Sequence, residues 1–264
     1  MSTVHFYMSD RHLPDPDQQR EWKAGRIQRL HESGKIAAAQ CWIYQTFVRL
    51  EAAGCRVQLV TTPPESGIMI ALAGSFPLDY RPPAGVFFAG VVADYRPHPH
   101  AHVHIVQNAR HASILQRSVY VPLWTQPNLV PRDAARGDRF ETAAFFGDPI
   151  NLASELRAPE WTERLRRELG VAFEVRGAAR WHDYTDVDCA IGIRDFSRHA
   201  FLNKPPTKLF NAWLAGVPFI GGKDSAYSAE RHTEFDYLQA TSAQSLFDHV
   251  AFLKTTPEFR MRTI

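Results

Sequence analysis

Cysteine is scarce in this sequence. Three occur among 264 residues, Cys41, Cys55 and Cys189, an odd number without the paired spacing of a metal centre or a disulfide framework. A disulfide-stapled secreted module is thereby excluded, and thiols that pack in a reducing, cytoplasmic compartment are expected. No apolar run approaches the ~20 residues of a membrane-spanning helix. Nor does the stretch from Met1 to Asp10 carry a charged segment leading into an apolar one, so no leader is expected. Peripheral association with the inner face of a membrane stays open. An excess of one charge is missing as well: 30 basic against 28 acidic residues leave a net charge of +2, which steers the chain neither to nucleic acid nor to an anionic surface.

What is present is material for a core. A hydrophobic share of 45% with 22% charged residues is that of an ordinary globular protein, and the length lies where single cores begin to split into two domains. In the first half, Val4 to Met8 reads as a strand and Ser9 to about Gln19 as a loop. Apolar residues Ala39, Ile43, Phe47 and Leu50 recur at helical spacing between Ile36 and Ala53, with Gly54 as the cap. Strands are expected at 56–60, 68–72, 86–92 and 103–107. The stretch from Tyr120 to Asp138 loses periodicity and collects Pro122, Pro127 and Pro131, which places a boundary near residue 135. Beyond it strands at 142–146, 171–175, 188–193 and 217–220 alternate with helices at 152–169, 206–215 and 242–253. That is the pattern of a parallel sheet covered on both faces, and the fold class is α/β.

The densest chemical signal is the run from Asn203 to Gly222. Pro206 suits the start of a helix, Thr207 offers a hydroxyl, and the unpaired N–H groups of a first helical turn attract anions. Lys204 and Lys208 oppose the helix dipole at that end unless an anion lies between them and it, and a diphosphate would resolve the conflict. The competing reading is a core helix whose lysines point to solvent. Arg194, at the carboxyl end of the 188–193 strand, suits a bidentate clamp on phosphate or an ion pair with Asp195.

The run Lys204-Pro-Pro-Thr-Lys-Leu-Phe-Asn-Ala-Trp-Leu-Ala-Gly-Val-Pro-Phe-Ile220 resembles the donor-binding segment of GT-B glycosyltransferases of the group 1 type. The resemblance implies two Rossmann-like domains facing across a cleft: residues 1–135 as the acceptor-side domain with its connector, and 136–264 as the nucleotide-sugar domain. It implies further that Thr207 and the backbone after it contact donor phosphate, that Lys208 compensates the diphosphate charge, and that Asp224 and Ser225 meet sugar hydroxyls. Many retaining members carry two glutamates with seven residues between them. The matching positions here are Asn203 and Asn211, whose amides can bind a ribose hydroxyl but cannot move a proton near neutral pH. The implied activity is transfer of a sugar from a nucleotide-diphosphate donor to a glycan or other hydroxyl acceptor, with no cofactor and no metal. A non-catalytic nucleotide- or sugar-phosphate-binding protein is the second reading.

Glycosyl transfer by direct displacement needs a base for the acceptor hydroxyl. Asp10, His12 and Asp94 are placed for that role after expected strands, with a turn or cap as the alternative for each. Lys35, flanked by Gly34 before a helix, is a residue that could approach the interdomain cleft, and the sequence does not decide it. His98, His100, His102 and His104 recur at period two, so an extended run would put all of them on one face, where packing and acceptor-side hydrogen bonding compete with metal binding. Arg157, Arg164, Arg166 and Arg167 alternate with glutamates, as an ion-paired helix face does, so no nucleic-acid partner is expected.

Overall fold

The computed structural model describes residues 3–25, 38–197 and 199–263; Lys35 and the start of the helix expected from Ile36 lie outside the described residues. The chain divides into two compact units, one formed by Met1–Pro127 with Leu202–Pro205, the other by Asn128–Phe201 with Pro206–Ile264. The division falls earlier than residue 135 because the segment after Pro127 pairs at once with the second unit. Val130 bridges Asp183, and Arg132 bonds Asp188 at 2.8 Å.

The first unit opens with β1 (Val4–Tyr7) and a short 3-10 turn at Asp10–His12, then α1 (Pro16–Lys23). The Asp15 carboxylate accepts the N–H groups of Asp17 and Gln18, and Pro16 takes the first helical position. These two residues nucleate a helix inside what reads as loop. The helical run from Ala38 widens through a π segment at Gln40–Tyr44 and continues as α2 (Gln45–Ala52). Next come β2 (Val57–Val60), β3 (Ser66–Leu72), β4 (Gly85–Val91), β5 (Val103–Val106), α3 (Ala109–Ala112) and β6 (Ser118–Tyr120). The sheet order is β2-β1-β3-β4-β5-β6, every pair parallel. Its direction of winding reverses between β1 and β3, the position where doubly wound sheets open a crevice at the strands' carboxyl ends. Phe6, Leu72 and Val91 pack on Trp22, Trp42, Ile43 and Phe47 on one face, while Met69, Ala71, Val86 and Phe88 form the core of the other.

The histidine run is not a single extended face. His98 to His102 form a turn, and only His104 lies within β5. His98 is fully buried and donates from Nε2 to the Pro77 carbonyl at 2.8 Å, His104 Nε2 donates to the His98 carbonyl at 3.1 Å, and His102 Nδ1 accepts the Phe88 N–H at 3.0 Å. The imidazoles are spent on fastening the turn between β4 and β5. Among the described residues no group of three or more His, Cys, Asp or Glu is arranged to hold a metal.

The second unit contains β7 (Thr142–Phe146), α4 (Pro159–Arg164), β8 (Ala172–Arg176), β9 (Cys189–Gly192), α5 (Thr207–Leu214), β10 (Phe219–Gly221), α6 (Ser225–Glu230), β11 (Leu238–Gln239), α7 (Ala243–Thr255) and α8 (Pro257–Arg262). All strands are parallel in the order β11-β10-β9-β7-β8, and the winding reverses between β7 and β9. Alternation sorts the central strands. Ala143, Phe145, Cys189, Ile191 and Ile220 face one core with Trp161, Leu165, Leu246 and Val250, whereas Ala144, Phe146, Ala190 and Phe219 face the other with Leu209 and Ala212 of α5. Strands covered on both faces carry near-continuous apolar runs, which is why β7 and β9 stand out in the sequence.

The helix expected over 152–169 is broken. Ser154–Arg157 is a 3-10 turn, Ala158 is extended, and the helix restarts at Pro159 and widens into a π segment at Leu165–Leu169. Proline clashes with a preceding helical residue, so Pro159 can begin a helix but not continue one. On its outer face Arg164 and Arg167 both pair with Glu168, at 3.2 and 3.0 Å.

A methyl group added at Gly192 would intrude on the Phe219 ring and lie 3.0 Å from the Tyr227 hydroxyl. Gly192→Ala is therefore expected to destabilise the second unit by about 2 kcal/mol through overpacking. Urea unfolding would read this as a lower midpoint at unchanged slope.

Candidate functional site

The carboxyl ends of β7, β9 and β10 bring together chemistry from distant parts of the second unit. Gly147 follows β7 with φ at +152°, a conformation that disfavours any side chain, and its missing Cβ leaves room for Lys208, whose Nζ would lie 3.4 Å from it. The Lys208 ammonium also lies 5.1 Å from the centroid of Phe145. It stands on the first turn of α5, where Pro206 is the N-cap and its carbonyl accepts the N–H groups of Leu209 and Phe210 at 2.9 and 3.1 Å. Proline thus precedes the helix instead of occupying its first position. Thr207 Oγ1 is buried there with no hydrogen-bond partner among the described residues. A buried hydroxyl without a partner is costly.

Arg194 extends beyond β9 and bonds Asp224, beyond β10, through Nε to Oδ2 at 2.9 Å; the two side chains are only 9% and 3% exposed. Asp195, the other candidate partner, accepts the Ser197 N–H and hydroxyl instead. The second oxygen of Asp224 caps α6 by accepting the Ala226 N–H at 3.0 Å. Burial pushes the Asp224 carboxyl up from the ordinary carboxylate range, while Arg194, the Ala226 N–H and Lys208 pull it back. Each of its oxygens retains acceptor capacity that a sugar hydroxyl can use. Ser225, the first residue of α6, donates its N–H to the Ala200 carbonyl at 3.1 Å.

Asn211 is buried on the inner side of α5, beside the phenol of Tyr184, which stacks on Phe146 at 3.9 Å between ring centroids. Its amide is directed to the core.

Asn203 and Lys204 belong to the first unit. Asp94 Oδ1 accepts Lys204 Nζ at 2.9 Å and Asn203 Nδ2 at 3.3 Å. Asp94 itself follows Ala93, held at φ +44°. The backbone carbonyls of Asn203 and Lys204 accept from the side chains of Gln107 and Asn108, at 2.6 and 3.2 Å, and Gln107 is oriented in turn by the Trp42 indole N–H. Gln107 and Asn108 are buried amides committed to a segment 96 residues away in sequence, and no local signal points to them. Asp10 and His12 lie at the carboxyl end of β1, at the reversal of winding, with His12 Nδ1 3.0 Å from the Ser9 hydroxyl. Gly147 was within reach of sequence reasoning, since a glycine directly after the first strand of a parallel unit marks a close backbone approach.

The residues expected to meet the donor therefore form two clusters. Thr207, Lys208, Arg194, Asp224 and Ser225 stand around the strand ends of the second unit, and Asn203 and Lys204 stand with Asp94 in the first. The former sets the Lys208 ammonium, the Arg194–Asp224 pair and the amino terminus of α5 at the ends of parallel strands. No family model matches the sequence, and no curated protein aligns with it. Solved structures do match. An α1,3-fucosyltransferase with GDP superposes with a TM-score of 0.56 at 10% identity, over 99% of this chain and 80% of that one. TarM superposes with a TM-score of 0.51 at 12% identity, over 83% of this chain and 52% of that one, so this chain spans about half of TarM's length. The protein has the α/β fold of the GT-B glycosyltransferases.

None of the three cysteines is in a disulfide, and no described helix is long and apolar enough to cross a membrane.

Proposed function

We propose that this chain is a glycosyltransferase that binds the diphosphate of a nucleotide-sugar in its second unit and passes the sugar to a hydroxyl acceptor held by the first, in glycan or polysaccharide synthesis. The single observation that carries the reading is the meeting of Gly147, Lys208, Thr207 Oγ1 and the Arg194–Asp224 pair at the carboxyl ends of three parallel strands. In the reaction the bond between the sugar's anomeric carbon and the diphosphate oxygen breaks. A bond to the acceptor oxygen forms, and the acceptor's proton leaves to a base or to the departing diphosphate. Lys208, the α5 amino terminus and Arg194 would stabilise the charge that grows on the leaving group, a role that needs no metal. Asp224 and Ser225 would orient the sugar, and Asp10, His12 and Asp94 are the candidates for the base. Of these Asp94 is the weakest, because its carboxylate already neutralises Lys204.

Asparagines at both positions where glutamates are common, with Asn211 turned to the core, favour a second reading: a protein that binds the nucleotide without transferring the sugar. A thermal-shift screen against UDP, GDP, ADP, TDP and CMP, followed by donor hydrolysis with the matching nucleotide-sugars, separates the two. Ligand at 100 times its Kd stabilises by about 2.7 kcal/mol, so a binder is expected to shift the melting curve clearly. Slow sugar release supports the transferase and binding without release supports the second reading. No shift with any nucleotide would falsify both.

A further inference from the structure

We propose that the ring of Tyr95 in the first unit is a stacking platform for a pyranose, and that the acceptor is a sugar held there by its apolar face. The sugar's role as acceptor rests on the transferase reading above, whereas the site is read from the first unit alone. Tyr95 lies just beyond the carboxyl end of β4, beside Asp94, and Gly74 lies in a 3-10 turn, Ala73–Ser75, beyond the carboxyl end of β3. A Cβ built on Gly74 would stand 2.3, 2.6 and 2.8 Å from Cδ1, Cε1 and Cγ of the tyrosine. Three adjacent ring atoms at similar distances mark an approach to the face of the ring, not to its edge. One face of Tyr95 is therefore laid on a backbone without a side chain, and the residue stays 43% exposed.

Single exposed aromatics are common on protein surfaces, and three features set this one apart. It is fixed in place. Its N–H donates to the Val92 carbonyl at 2.7 Å, and the turn is bent by Ala93 at φ +44°, a strained value for a residue with a side chain. It is also unspent: among the described residues its ring stacks on no other ring or cation and its hydroxyl bonds no partner. Phe87, similarly exposed at 45%, is by contrast stacked on His102 with ring centroids 5.0 Å apart. Finally, polar groups adjoin it. Asp94 Oδ1 gathers Lys204 Nζ and Asn203 Nδ2, while Asp94 Oδ2 accepts from no described residue. A pyranose uses both functions, because its axial C–H groups form an apolar, weakly positive face for the ring's negative one and its hydroxyls donate to a carboxylate. A rigid aromatic supplies such contact at little entropic cost. In the sheet β4 is separated from β1 by β3 alone, so the platform lies two strand spacings, about 10 Å, from the turn at Asp10–His12. A disaccharide spans that interval and would carry a hydroxyl to those candidate bases.

Saturation-transfer NMR on the whole chain without nucleotide reads the site directly. Methyl β-D-glucoside, methyl β-D-galactoside and N-acetylglucosamine are the probes, and glycerol, with hydroxyls but no ring face, is the control. At least one of the sugars is expected to bind, with the strongest saturation on the protons of one ring face, and glycerol is expected to give none. Tyr95→Ala should weaken that binding about 10-fold, while Tyr95→Phe and Phe87→Ala should keep it. Gly74→Ala, whose methyl would take the space of the ring, should lose it with the tyrosine intact. Melting of each variant checks folding, and if Gly74→Ala melts early the contrast between Tyr95→Ala and Tyr95→Phe decides. No sugar binding, saturation spread evenly over the sugar, or undiminished binding in Tyr95→Ala each overturns the proposal. Nucleotide melting shifts separate the two readings: Tyr95→Ala is expected to keep any shift, and a chain that binds sugars but no nucleotide keeps the platform and loses the transferase.

Discussion

Asp188→Asn is expected to cost the second unit about 3–5 kcal/mol, the range for breaking a buried ion pair from one side. Asp188 precedes β9, its side chain is 1% exposed, and it gathers Arg132, Arg136 and the first backbone N–H groups of β7 onto one carboxylate. An asparagine would present an NH₂ group to donors, leaving two guanidiniums short of charge and at least one buried N–H unsatisfied. Glu168→Gln is the control, since that carboxylate is 40% exposed and its partners Arg164 and Arg167 are themselves 35% and 71% exposed, so both pairs are screened by solvent. Hydrogen exchange of the peptide spanning 142–146 isolates the second unit from the first. A loss for Asp188→Asn no larger than the control's would remove Asp188 from its place as the organising charge.

The same carboxylate contributes to the acid sensitivity of the second unit. Burial alone would raise its pKa. The bonds from Arg136, the Glu141 and Thr142 N–H groups and Arg132 outweigh that and hold it below the ordinary value of 3.8. A carboxylate depressed in the folded state adds stability that is complete above the unfolded pKa and is lost as pH falls through the folded one. Stability contributed by Asp188 should accordingly be flat near neutrality and decline below about pH 4. Asp188→Asn should flatten that decline.

Lys208→Met is expected to weaken nucleoside diphosphate binding roughly 10- to 100-fold, which corresponds to the 1.5–3 kcal/mol of a hydrogen bond to a charged group. Its ammonium is held over Phe145 and beside Gly147, at the mouth of α5, and shares its surroundings with Asp224. Because the effect runs through phosphate, affinity for the bare nucleoside should change little and the salt dependence of diphosphate binding should diminish. Calorimetry with nucleoside, monophosphate and diphosphate in turn distinguishes this from a general loss of fold. Equal losses for all three ligands would place Lys208 elsewhere than on the phosphates.

Much of the fold was legible because parallel strands buried on both faces leave apolar runs that need no partner to be recognised. Thr142–Phe146 and Cys189–Gly192 are of that kind. The short strands Ser118–Tyr120 and Leu238–Gln239 were not, because two or three residues show no period and exist only as edges of a sheet already formed. The helix at Pro16 carried its own signal in Asp15-Pro16, yet the surrounding polar residues read as loop. In the run from 152 to 169 apolar spacing pointed to one helix, and Pro159 overruled it.

The segment from Asn203 to Gly222 shows the same division at the site. By itself the sequence determined that a threonine and a lysine stand at the start of a helix ended by Gly216 and Pro218, because those preferences are local to the backbone. Only tertiary structure decided that Arg194 spans 30 residues to Asp224 instead of turning to its neighbour, and that Lys204 spans 110 residues to Asp94. Charge pairing is set by where strand ends and loops deliver side chains in space, and a buried guanidinium takes the carboxylate that can be desolvated with it, whatever their separation along the chain.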